Sequence, residues 1–184
     1  MGSQQAAYGA DWFELTNNGA TAVDITGWTM DDGSNSFANS VALTGITSIQ
    51  PGQAVIFIEG DSVVVDNFKT AWFGSSVPSG LAIGTYSGSG IGLSSGGDGL
   101  TVFDAATNPV MVVSFGAGTA NFTFDNTLGA SGALGTLSAV GVNGAFLSPA
   151  GEVGSPGVSA VPEPGSCVAL LLGLAGTCVR RRRQ

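Results

Sequence analysis

The first stretch with a clear rhythm is DWFELTNNG. Phe13 and Leu15 fall on one face, Trp12 and Glu14 on the other, which is the period-two alternation of a strand. TAVDITGWTMDDG repeats the pattern with Val23 and Ile25, then Trp28 and Met30 after a shift at Gly27. Between the two lie Asn17, Asn18 and Gly19, residues that tolerate positive φ, so the pattern predicts a hairpin or a tight strand-to-strand link. Further along, Pro51-Gly52 marks a turn. AVIFI, residues 54–58, is apolar on both faces, as in a central strand covered from both sides. DSVVVDNFKTAWFG carries opposed signals. Asp61 or Ser62 is placed to cap a short helix, Gly74 to end it, and Val64, Phe68 and Trp72 recur every four residues. The β-branched run 63–65 argues against helix.

The second half reads as more short strands. Residues 100–104 and 110–115 are joined by DAATNP, a plausible hairpin loop. NFTFDNT alternates, with Phe122 and Phe124 expected inward and Asn121, Thr123 and Asp125 outward; a last strand is expected over 136–142. Short strands separated by Gly and Pro turns, with no βαβ rhythm, predict an all-β sandwich. From Ser148 the chain changes character. SPAGEVGSPGVSAVPEPG holds four prolines and reads as a Gly/Pro/Ser spacer. The expected organisation is a sandwich over 8–147, a flexible spacer over 148–161 and a distinct tail over 162–184.

Composition sharpens this. Glycine makes up 30 of 184 residues and charged residues only 10%, against a usual quarter. That leaves few of the Glu, Lys and Arg that cover exposed helices. Charge is also split by position. Residues 1–160 hold twelve acidic residues and one base, Lys69, whereas the last 24 residues hold Glu163 and four arginines. An acidic body with no basic groove repels phosphates, which excludes nucleic acid as a partner. The arginines follow the apolar run GSCVALLLGLAGTCV, residues 165–179. As a helix this run spans roughly 22 Å against roughly 30 Å of hydrocarbon, short for a permanent anchor. Basic residues at its end favour the cytoplasmic side. Both cysteines, Cys167 and Cys178, lie in this run, so no disulfide is expected in the body. The start, MGSQQAAYGADWFEL, has neither a charged n-region nor an apolar h-region, so no signal peptide is expected within this chain.

Candidate chemistry is sparse. The chain has no histidine, which removes the commonest general base and metal ligand and rules out Ser-His-Asp and Cys-His arrangements. Paired carboxylates are the remaining route to catalysis. Asp11 with Glu14, or Asp31 with Asp32, would serve acid/base work on a glycoside; the plainer reading is that they solvate turns and strand ends. DDGSN offers oxygen ligands for calcium without the spacing of a calcium loop. Trp12, Trp28, Trp72 and Tyr86 would form a ligand platform if exposed, and core if not. NFT, residues 121–123, matches a glycosylation acceptor at a frequency chance explains. No catalytic, cofactor-binding or metal-binding residue is assigned, and no enzyme is expected.

Two resemblances add to this. DWFELTNNGATAVDITGWTMDD resembles the opening of a lamin-tail domain. Trp12, Glu14, Leu15 and Asn17 fit its first strand; Val23, Asp24, Ile25, Gly27, Trp28, Met30 and Asp32 fit its second. IQPGQAVIFI, GDGLTVFDAATNPVMVVSF and GSPG are similar to later parts, over roughly residues 8–158. The resemblance implies an immunoglobulin-like β-sandwich, used mostly as an accessory or binding module. The tail resembles a PEP-CTERM sorting signal. Pro162, Glu163 and Pro164 match its recognition triplet, residues 166–179 its apolar segment, and Arg180, Arg181, Arg182 and Arg183 its basic stop. This implies a bacterial protein processed by an exosortase at the inner membrane, held there through residues 165–179, then delivered to the cell envelope or outside it. The expected function is a non-enzymatic exported envelope or matrix protein, structural or adhesive, with a surface polysaccharide or protein as partner. The alternatives are a carbohydrate- or calcium-binding accessory module and a carboxylate-based hydrolase.

Overall fold

The structure, a computed structural model, describes residues 7–126, 129 and 131–159. In chain order the strands are β1 (Trp12–Thr16), β2 (Val23–Asp24), β3 (Thr29–Asp31), β4 (Val41–Ala42), β5 (Ser48–Ile49), β6 (Ala54–Glu59), β7 (Ala82–Tyr86), β8 (Asp98–Phe103), β9 (Pro109–Phe115), β10 (Gly132–Leu134), β11 (Phe146–Leu147) and β12 (Val153–Gly154). One α-helix, α1 (Ser62–Phe73), interrupts them. The architecture is mostly β, and the expectation of an all-β chain is corrected by this helix.

Two sheets face each other. One has the order β1-β6-β7; the other has β10-β9-β8-β3-β4. Period-two alternation supplies the core between them, where Phe13, Val55, Phe57 and Tyr86 meet Met30, Leu100, Val102 and Val113. β6 is the central strand that its two apolar faces predict. Val55 and Phe57 face the second sheet, while Ile56 and Ile58 face α1. The helix therefore forms a third layer on the outer face of the first sheet. Asp61 caps it by accepting the N–H groups of Val63 at 2.9 Å and Val64 at 3.2 Å, and Gly74 ends it with φ of 57°. Phe68 and Trp72 bury completely against Trp12, with ring centroids 5.3 and 5.6 Å away. Burial of this stripe outweighs the weak helix preference of the valine run.

α1 connects β6 to β7, which pair in parallel with Phe57 opposite Gly84. The Phe57 ring lies across Gly84, where a Cβ would meet Phe57 Cε1 at 2.6 Å and the Thr44 carbonyl closer still. β8 and β9 form the expected hairpin. Its turn is held by Asp104, whose carboxylate accepts from the N–H groups of Ala106 and Asn108 at 2.9 and 2.8 Å.

Asn17-Asn18-Gly19 does not make a hairpin. β1 pairs with β6, β2 with β5, and β3 with β4 and β8. The segment is the tight link instead. Asn17 donates through Nδ2 to the carbonyls of Thr21 and Ile49 at 2.8 and 2.9 Å, and its Oδ1 accepts from Gly19 N at 2.9 Å.

NFTFDNT is not a regular strand. It makes isolated bridges at Phe122 and Phe124, Asn121 takes φ of 67°, Phe122 is exposed and Thr123 is buried. Thr123 turns inward because its hydroxyl pairs with that of Ser138 at 2.7 Å. Phe124 alone packs inward, 5.3 Å from Phe115. The strand expected over 136–142 is reduced to one bridge, Leu137 to Phe124.

Residues 148–159 pack onto the sandwich rather than leading away from it. β12 pairs with β11. Val153 N donates to Asn121 O at 2.8 Å and Ala150 N to Ala71 O at 3.2 Å. Glycine and proline make these residues turn often, and each turn still places one group in contact with the body. Residues 160–161, the sorting residues Pro162, Glu163, Pro164, Arg180, Arg181, Arg182 and Arg183, and the apolar helix expected over 165–179 lie outside the described residues. Among the described residues no helix is long and apolar enough to cross a membrane.

Candidate functional site

Alternation along β1 separates the two carboxylates that the sequence offers for acid/base work. Asp11 takes the inward phase of Phe13, and Glu14 the opposite phase, with Trp12. Glu14 Oε1 accepts from Gly157 N at 2.5 Å, and burial pushes its carboxyl up to about 7, against the pull of that hydrogen bond. Asp11 and Glu14 therefore do not form a pair.

Asp11 meets other partners. Its carbonyl accepts from Glu59 N at 2.8 Å, which extends the β1–β6 register by one step. Glu59 in turn lies opposite Tyr86. Asp11, Glu59 and Tyr86 thus form one row across the three strands, in the inward phase, at the end of the sheet. The loop after β7 closes over the row. Leu93 N donates to Asp11 Oδ2 at 2.7 Å. A Cβ on Gly92 would sit 3.6 Å from Asp11 Oδ2 and 3.9 Å from Glu59 Oε2. The Tyr86 side chain is 1% exposed, and its hydroxyl has no hydrogen-bond partner. Burial, then the negative charges of Asp11 and Glu59, hold the phenol far above its ordinary value, so it stays protonated. Glu59 is raised too, by burial and then by Asp11.

DDGSN is held by local hydrogen bonds through one oxygen of each aspartate, while Asp31 Oδ1 is buried without a partner. Asp31 Oδ2 accepts from Ser34 Oγ at 2.8 Å and Ser36 N at 2.7 Å, and Asp32 Oδ1 from Ser34 N at 3.3 Å. Among the described residues no three acidic side chains gather in a metal-binding cluster. Of the four aromatics considered as a platform, Trp12, Trp72 and Tyr86 are core. Trp28 is half-buried and lines a cleft of about 330 Å³ beside β1, between the sheets. Leu15, Met111 and Phe124 form its apolar walls, and Glu14 and Asn18 contribute polar groups. In NFT, the Thr123 hydroxyl is buried and hydrogen-bonded.

Sequence reasoning missed Glu59. Its signal was present, because Glu59 continues the inward phase of Val55 and Phe57, where a carboxylate is out of place. It also missed Tyr8 and Glu152, which share a buried hydrogen bond across 144 positions of the chain.

Two facing β-sheets with a helix on one outer face define an immunoglobulin-like sandwich elaborated by a helical crossover. The chain belongs to the lamin tail domain family, whose model matches residues 1–117. The family's domain is a structural module rather than an enzyme. No curated protein and no solved structure gives a significant match.

Proposed function

We propose that this protein is an exported, non-catalytic module of a bacterial cell envelope or its surrounding matrix, with a structural or adhesive role. The observation that carries this reading is the combination in one chain of a lamin-tail sandwich with the terminal order Pro-Glu-Pro, apolar run, four arginines. The short apolar run suits transient retention at the inner membrane, with the arginines inside and the sandwich outside. An exosortase-type enzyme would then release the body near Pro162, Glu163 and Pro164. The test is expression of the complete coding region with one tag in the body and another after residue 184. Separation of the tags, with the body tag in the envelope or medium, supports the reading. Both tags remaining together in the cytoplasm would overturn it.

A second reading rests on the cleft beside β1. Its size suits a small ligand or sugar unit. The half-buried Trp28 indole and the Asn18 amide resemble the stacking and hydrogen-bonding groups that hold carbohydrate. Titration with surface glycans tests it: Trp28→Ala is expected to abolish binding that the parent protein shows, and absence of heat with every glycan removes the reading.

A further inference from the structure

We infer that the Asp11–Glu59–Tyr86 row is a binding site for a hard divalent cation, with calcium as its best fit. The inference concerns the sandwich alone and does not depend on where the chain is delivered.

Four observations converge. The row brings two carboxylates and a phenol together from three neighbouring strands. Among the described residues the one base, Lys69, lies on α1 and pairs with Asp66 at 3.3 Å; it is not part of the row. Second, the Tyr86 hydroxyl is buried and unpartnered. Buried hydroxyls ordinarily find a partner, and this one stands in the field of both carboxylates. A cation between them would take a lone pair of that oxygen and leave its proton in place. Third, residue 92 is glycine, and a Cβ there would stand 3.6 Å from Asp11 Oδ2 and 3.9 Å from Glu59 Oε2. No side chain of residue 92 therefore stands against either carboxylate. Fourth, Glu59 is only half-buried, so the row is reached from its side.

The donor set selects the ion. All three side chains offer oxygen, which suits hard cations rather than zinc or copper. Two carboxylates match a double positive charge. Magnesium demands near-octahedral geometry and keeps most of its water, whereas calcium accepts six to eight irregularly placed oxygens, including waters and backbone carbonyls. Three side chains fixed by sheet register, completed by solvent, fit calcium better.

The experiment uses the full chain, stripped with EDTA, and CaCl2 alone as the probe. Heat of binding and a raised melting temperature are expected below about 1 mM calcium, the range of extracellular calcium modules. Glu59→Gln is expected to weaken binding at least about tenfold; in EDTA it should melt no lower than the parent protein, because it removes a repulsive charge. Tyr86→Phe deletes an oxygen that makes no hydrogen bond, so it should fold. It is expected to weaken calcium binding and to reduce terbium luminescence sensitised by the protein. Asp32→Asn should change neither. Absence of heat and of any melting shift at about 5 mM CaCl2 would overturn the inference. So would undiminished affinity in Glu59→Gln. If Glu59→Gln does not fold, full calcium affinity and full terbium emission in Tyr86→Phe overturn it equally.

Discussion

Tyr8 and Glu152 are 144 positions apart and share a buried hydrogen bond, the Tyr8 hydroxyl donating to Glu152 Oε2 at 2.8 Å. The same hydroxyl oxygen accepts the indole N–H of Trp12 at 3.0 Å and that of Trp72 at 3.4 Å. One phenol thus joins the segment before β1, β1 itself, α1 and the β11–β12 turn. Burial raises both partners above their ordinary values, the nearby Glu152 charge adds to the effect on Tyr8, and Tyr8 donation partly offsets it at Glu152.

Tyr8→Phe removes a donor from Glu152 and an acceptor from two indoles. A loss of about 1–3 kcal/mol is expected, measured by urea unfolding with the slope unchanged. Truncation after Leu147 removes β12 and Glu152 together, so a larger loss is expected. A truncated chain that unfolds at the same urea concentration as the full one would mean that residues 148–159 do not hold the sandwich together.

The raised carboxyls give stability a definite pH dependence. Below about 4.5 the folded and unfolded chains both hold the Glu14 proton. Between there and about 7 the folded chain keeps a proton that the unfolded chain has released. Stability is therefore greatest at the acid end of this window and falls as pH rises through it. Glu59 and Glu152 are shifted in the same direction. Asp24 and Asp104 are lowered, by hydrogen bonds from Thr26 and Asn108, and act oppositely, below 3.8. Thermal melts in EDTA from pH 5 to 8 should show a falling midpoint, and Glu14→Gln should flatten the slope. An equal slope in Glu14→Gln would place its carboxyl at an ordinary value.

Gly84 is required for close packing, with no call on unusual backbone angles. Alanine there would press on Phe57 Cε1 at 2.6 Å and on the Thr44 carbonyl. Backbone cannot yield, and Phe57 is fully buried. Gly84→Ala is expected to cost about 1–3 kcal/mol, read as a lowered unfolding midpoint. A neutral result would show that the β7 edge shifts freely.

The crossover helix separates local from tertiary contributions. Asp61→Ala removes two cap hydrogen bonds and should cost about 1 kcal/mol. Phe68→Ala opens a void among Tyr8, Trp12 and Trp72 and should cost about 3–5 kcal/mol. Equal effects in unfolding experiments would mean that capping contributes as much as packing.

Much of the fold is legible along the chain because its signals are local. The β8–β9 hairpin needs only two alternating runs and the Asp104 turn. The two-faced apolar run of β6 states that both sides are covered, and Asp61, Gly74 and the Phe68–Trp72 spacing outline α1. Alternation in β1 also places Asp11 and Glu14 in opposite phases, so their failure to pair was already written in the sequence.

Periodicity assigns a residue to a face, and it does not name the strand alongside. Loop closure depends weakly on length, so Asn17 and Gly19 fit a hairpin or a link between sheets equally well. Only tertiary pairing of β1 with β6 chose the link. The same limit hid the role of residues 148–159, whose turn-rich composition matches a spacer although single groups dock on Asn121 and Ala71. It also hid the Asp11–Glu59–Tyr86 row. Each member sits at the end of a strand, in an ordinary inward phase, tens of residues from the next. The sequence alone determined a glycine-rich sandwich and its two-faced central strand, while it left the helix open between its caps and its valine run and turned Phe122 and Thr123 the wrong way. The tertiary structure decided which strands became neighbours, and hence which carboxylates share a site, because that depends on contacts between segments that carry no mark of one another.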